Sequence, residues 1–201
     1  MAMEHDADPE QQELAGASDV EKADIELGAK LARQRDQPVA KAAGNASKIG
    51  DQGPLYAMSA GLLIAGISTR DRRLRDCAIT MLAGIAAADL SKRLTKRMVR
   101  RTRPHVLLDE RRYERESGGS QDKPEQSFPS GHTACSVAAA RALSRTYPGA
   151  GAAAGVFAVA IGISRITKGA HWPLDVLGGG VIGVAAEAVS AMACRIALRQ
   201  R

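Results

Sequence analysis

GAGAAAGVFAVAIGI, residues 149–163, is the stretch that decides the fold. Its apolar residues do not alternate with polar ones, so it does not read as a half-buried strand. It follows Pro148, which the first turn of a helix tolerates. Alanine and glycine make up most of it, a composition that lets one helix pack closely on another. Four further apolar segments of helical length lie around it, at 54–68, 77–91, 133–147 and 174–195. Pro54 and Pro173 stand at or beside two of their starts. With aromatic residues at only 3%, a β-sandwich is disfavoured. The reading is an all-α protein, an antiparallel bundle of five to six helices, with no internal repeat.

Length and charge narrow the rest. A chain of 201 residues, 45% hydrophobic and 25% charged, fits one domain. A net charge of +6 points to an anionic partner and leaves nucleic acid, anionic lipid and a phosphorylated substrate open. Cys77, Cys135 and Cys194 lie in separate apolar segments, which offers neither a disulfide framework nor a zinc spacing. Residues 1–50 read as a polar tail, partly disordered, whose first 25 residues hold eight acidic side chains against one lysine. Within it, 19–36 has the pattern of an amphipathic helix, placed either on a membrane surface or on the body of the protein. The start of the chain lacks the apolar core of a secretory signal. The helical domain is expected over 54–195.

The uncharged runs are 53–69, 77–88 and 146–164, while Arg141 and Glu187 interrupt two other segments. Mean hydropathy is −0.18. Tyr56, Tyr147 and Trp172 fall at segment ends, as aromatics at a membrane interface do. Hydropathy by itself leaves buried and membrane-spanning helices both open.

Between the second and third segments, residues 92–115 carry ten Lys or Arg and three acidic residues. No aromatic residue precedes Tyr113 to stack a base, so nucleic acid is disfavoured. Three motifs surround this loop. Lys96 and Arg103-Pro104 form Lys-x6-Arg-Pro, with Arg101 close by. Phe128-Pro129-Ser130-Gly131-His132 opens the third segment. Ser164-Arg165 closes the fourth and is followed by His171 and Asp175. Each alone is common; all three in this order and spacing form a strong pattern.

These residues resemble the type 2 phosphatidic acid phosphatase family, whose site is shared with bacterial acid phosphatases and vanadium haloperoxidases. FPSGHTA and GAHWPLDVLGG look like its membrane-bound bacterial members, and the resemblance covers about 54–195. It implies no metal and no cofactor. It also implies that Lys96, Arg103, Ser130, Gly131 and Arg165 bind phosphate and that His171, His132 and Asp175 are catalytic.

The residues support the same roles on their own chemistry. Helices of alternating direction bring the three motifs to one end of the bundle. Lys96, Arg103 and Arg165 then supply cations to a phosphoryl group, the arginines with forked donors. Ser130 and Gly131 stand at a helix start, where backbone N–H groups favour an anion. Asp175, in the first turn of the last helix, is expected to accept Nδ1–H of His171 and leave Nε2 as nucleophile. His132 is expected to protonate the leaving oxygen. Arg101 reads equally as a second phosphate ligand or a solvated loop residue. His5 and His105 read as surface histidines, and Trp172 as a cover over the pocket or, preferably, an interfacial anchor.

The resemblance further implies a membrane protein acting on a lipid phosphate monoester or a polyprenyl diphosphate, through a phosphohistidine. The expected partners are that lipid and the membrane, not nucleic acid; oligomeric state is not legible. Arg70, Arg72, Arg73 and Arg75 at the opposite end favour a site facing out of the cytoplasm. A vanadate-dependent haloperoxidase and a non-catalytic phospholipid-binding protein are the competing readings.

Overall fold

Proline and aspartate punctuate the chain where helices begin. Pro38, Pro104, Pro148 and Pro173 open four of them, and Asp71 caps another by accepting the backbone N–H of Leu74 at 3.1 Å. Both devices serve a first turn whose N–H groups have no partner within the helix. The structure is a computed structural model describing residues 16–199. Eight α-helices occur among the described residues: α1 Asp19–Ala32, α2 Pro38–Ala46, α3 Gln52–Ser68, α4 Arg72–Lys96, α5 Pro104–Glu110, α6 Gly131–Thr146, α7 Pro148–Thr167 and α8 Pro173–Arg199. Strands β1 Val99–Arg101 and β2 Arg115–Ser117 pair antiparallel, with Arg100 opposite Glu116. The fold is all-α apart from this small hairpin.

The five expected segments are α3, α4, α6, α7 and α8. Helix α6 packs against α4, α7 and α8, and α4 packs against α3 and α8. Met81, Ile85 and Ala88 of α4 meet Ala134, Cys135, Ala138 and Ala142 of α6 in the core. Such small residues let backbones approach. At Gly179 and Gly183 of α8, a Cβ would collide with the carbonyl oxygens of Ser130 and Ala134. The interior also holds Glu187 of α8, fully buried and bonded to Arg145 and Arg141 of α6.

The apolar faces outside the core are extensive. Val156, Phe157, Val159 and Ile163 of α7 are exposed, as are Leu177, Val181, Val189 and Met192 of α8. Pro148–Thr167 and Pro173–Ala197 are long and apolar enough to cross a membrane. Only 39% and 33% of these stretches are buried within the protein, so their apolarity is not accounted for by the core.

Residues read from sequence as tail fold against this body. Helix α1 presents Ile25, Ala29 and Ala32 inward, and Ile25 and Ala29 cluster with Leu107, Tyr113 and Trp172. Trp172 is therefore not an interfacial anchor: it is fully buried, stacked edge-to-face with Tyr113, and donates Nε1–H to the Thr102 carbonyl at 2.7 Å. Gly28 is the point of closest approach, since a Cβ there would overlap the Trp172 ring. Residues 1–15, the most acidic part of the expected tail, and His5 lie outside the described residues.

Candidate active site

Three loops meet at one end of the bundle because their backbones are stitched together. Ser127 N–H donates to the Arg101 carbonyl at 2.9 Å, and Arg103 N–H to Pro124 at 2.9 Å. The Gly169 carbonyl accepts from His105 N–H and faces His105 Nδ1, both at 3.0 Å. His105 thus joins two loops rather than standing free on the surface. The Ser130 N–H donates to the Asp175 carbonyl at 2.9 Å, tying the start of α6 to the start of α8.

His171, 3% exposed, sits at the centre. Its Nδ1 faces the Ser127 carbonyl at 2.7 Å, whereas Asp175 Oδ2 is 3.8 Å away, beyond hydrogen-bond range. The tautomer expected from sequence, Nδ1–H with a lone pair on Nε2, follows, but from a backbone carbonyl and not from Asp175. No described residue hydrogen-bonds Nε2. Burial pushes the imidazole down to about 4, with Arg103 and Lys96 adding to the effect against the opposing pull of Asp175.

Asp175, fully buried, is the hub behind the ring. It accepts Trp172 N–H at 2.8 Å, the Ser127 hydroxyl and Arg101 Nη1–H at 2.8 Å. Arg101 spends its remaining nitrogens on Asp24 Oδ2 at 2.6 Å and the Tyr113 hydroxyl at 3.1 Å. Being 4% exposed and so committed, it is neither a solvated loop residue nor placed to grip a phosphate. Removing one partner of a buried pair of this kind costs about 3–5 kcal/mol.

The cations that remain open to a ligand are Arg103 and Arg165. The Nε of each is buried without a hydrogen-bond partner among the described residues. Burial works against the Arg103 charge and the neighbouring Arg165 weakens it further, so its affinity for a proton lies below the ordinary value. Two like charges held together with donors unspent are what an incoming anion satisfies. Lys96 donates to the Gln126 carbonyl from the last turn of α4, and its charge is felt at His171.

At the start of α6, Ser130 differs from expectation. Its N–H is taken by Asp175, its hydroxyl lies 2.9 Å from that of Thr133, and it is fully buried. The free first-turn N–H groups are those that follow it, beginning with Gly131. A Cβ at Gly131 would collide with the Lys92 side chain.

His132 donates Nε2–H to Asp51, just ahead of α3, and feels the charges of Arg165 and Lys92. Sequence reasoning missed Asp51 and Lys92, which with Gly50, Gln52, Gly131 and His132 line a cavity of about 260 Å³. Lys92 had a signal: it precedes Lys96 by four residues and so shares its helix face. Asp51 had none, lying outside all three motifs. No group of three or more His, Cys, Asp or Glu able to hold a metal ion occurs among the described residues.

The helical bundle, with the family match that follows, supports a phosphoric ester hydrolase. Residues 77–195 match the PAP2 superfamily, and the chain belongs to that family. Among the solved structures that share the fold are these two. One is Aquifex aeolicus LpxE, 23% identical, with a TM-score of 0.58 over 83% of this chain and 93% of that one. The other is a transmembrane PAP2-type phosphatidylglycerolphosphate phosphatase from Bacillus subtilis, 24% identical, with a TM-score of 0.59 over 88% of this chain and 87% of that one. No curated protein matches.

Proposed function

We propose that the protein is a multi-pass membrane phosphatase that hydrolyses a lipid phosphate through a phosphohistidine, without a metal. The observation that carries this reading is the buried His171 imidazole, its Nδ1 held by a backbone carbonyl, beside two arginines whose Nε groups lack partners. His171 Nε2 attacks phosphorus in line as the P–O bond to the lipid breaks. His132, made imidazolium by the negative charge of the bound phosphate, gives its Nε2 proton to the departing oxygen and is left neutral; before substrate arrives that nitrogen faces Asp51. His132 then takes a proton from water, whose oxygen attacks phosphorus, breaks the N–P bond and releases inorganic phosphate. Lys96, Arg103, Arg165 and the free N–H groups at the start of α6 hold the equatorial oxygens throughout.

The exposed apolar belts of α7 and α8 support a lipid-facing bundle, with α3, α4, α6, α7 and α8 as the crossings. Arg70, Arg72, Arg73 and Arg75 gather around the end remote from the site, which favours a site facing away from the cytoplasm. The likeness to a phosphatidylglycerolphosphate phosphatase puts that headgroup beside phosphatidate and polyprenyl diphosphate as substrates to compare.

The test is phosphate release from these three lipids in detergent, with and without a chelator. Release that chelator leaves unchanged is expected. Loss with chelator rules out the metal-free route, and no release from any of the three rules out the substrate class.

The acid limb of the pH profile gives a second prediction. A nucleophile must be unprotonated, so His171 is competent above its depressed value and is lost as pH falls through it. Once the ionisation of the substrate is divided out, kcat/KM is expected to show no loss from His171 until pH nears 4, below which that loss is about tenfold per unit, since this ratio reports the free enzyme. A limb near 6.5, the ordinary imidazole value, contradicts the buried neutral ring.

A further inference from the structure

We propose that Asp24, on a helix outside the residues that match the family, is a positioning residue that acts through Arg101 and Asp175 on His171. This rests on the function proposed above.

Asp24 is 5% exposed and uses both carboxylate oxygens on the site. Oδ2 accepts from Arg101 Nη2 at 2.6 Å, and Oδ1 accepts the backbone N–H of Leu174 at 2.8 Å. Leu174 and Asp175 are neighbours in the first turn of α8. That turn's N–H groups have no helical partner, so Asp24 caps α8 from another element while Asp175 accepts Trp172 N–H. The two carboxylates therefore fix the backbone from which both His171 and Asp175 project.

Charge supplies the second half. Arg101 lies between Asp24 and Asp175, bonded to each. Were it paired with Asp175 alone, one guanidinium would neutralise one carboxylate. Sharing Arg101 leaves Asp175 with net negative field toward the His171 ring. As Nε2 bonds to phosphorus, positive charge develops on that ring, and the field stabilises it only then. Such an interaction raises kcat and leaves ground-state binding alone. The docking of α1 holds Asp24 in place: Gly28 abuts Trp172, and Glu21 accepts from the Tyr113 hydroxyl and from Arg115.

The experiment is Asp24→Asn in the full chain, which keeps the shape and one acceptor oxygen for the Leu174 N–H while removing the charge and the second acceptor that faces Arg101. Expected is a fall in kcat of about 10–100-fold, the range for losing an outer partner of a functional imidazole. KM and inhibition by inorganic phosphate should stay within about twofold, because neither touches Arg101 or Asp24. In an Arg101→Lys background the same change should add less than about twofold, since two residues acting in series are not additive. Independent factors in the two backgrounds overturn the proposal. So does a loss explained wholly by a smaller folded fraction, with kcat per folded molecule unchanged.

A substrate-free measurement separates this proposal from the function itself. The ¹⁵N spectrum of His171 in detergent is expected to shift on Asp24→Asn, even if none of the lipids is hydrolysed. An unchanged spectrum overturns the positioning role, whatever the substrate proves to be.

Discussion

His171→Ala is expected to lower kcat by about 10⁴-fold or more, the scale of losing a nucleophile that works as part of a unit, while inorganic phosphate still binds. The ring is the sole group placed to form a bond to phosphorus in the proposed route. The cations that hold the phosphate lie on α4, α7 and the loop before α5, and remain in place without it. Alanine also leaves the Ser127 carbonyl unpaired in a buried site, at about 1–3 kcal/mol. His171→Asn is therefore the better-controlled variant, because its side-chain amide can still donate to that carbonyl; it should be equally inactive and more stable. Brief exposure of the native enzyme to labelled substrate, followed by rapid quenching, should trap an acid-labile, base-stable phosphoprotein absent from both variants. A variant retaining turnover within tenfold would show that another group, or water itself, attacks.

What the sequence reveals of this machinery is what is local. The five long helices were legible because apolar runs, prolines and absent alternation are properties of neighbouring residues. The three motifs were legible because each is contiguous or nearly so, and alternating helices return them to one end. Partners supplied from afar were not. Asp24 reads as one acid among eight in a polar stretch, and partners far along the chain, Arg101 and the Leu174 N–H, make its burial tolerable. Arg101 was ambiguous for the same reason: its role is set by two carboxylates that flank it in space. Ser130 carried the correct helix-start signal, yet its N–H is spent on Asp175, 45 residues later. Trp172 sits at a segment end like an interfacial residue, and only the docking of α1 turns it into core. Glycine at position 28 would have been a signal against a solvated tail, since it weakens a free helix and needs a packing reason to be there.

Arg103→Met is expected to move activity and stability in opposite directions. Arg103 has a buried Nε without a partner and a like-charged neighbour in Arg165. In the free enzyme this arrangement is unfavourable: burial strips water from the guanidinium, and Arg165 repels it. A phosphoryl group reverses both terms, offering two oxygens to the fork and negative charge to the pair. Methionine fills similar volume without charge or donors. The prediction is a drop in kcat/KM of about 10²–10³-fold, as for loss of one preorganised donor to a developing anion. It is joined by a rise in melting temperature of about 2–4 °C, if the relief is near 1 kcal/mol. Arg103→Lys should recover little activity, because an ammonium cannot make the forked contact. Ligand-induced stabilisation provides the cross-check. Saturating inorganic phosphate should raise the melting temperature of the native protein, because binding to the folded state alone stabilises it. It should raise that of Arg103→Met much less. Were the variant less stable than the native protein without phosphate, the arginine would be a structural tie and not a charge held in readiness for substrate.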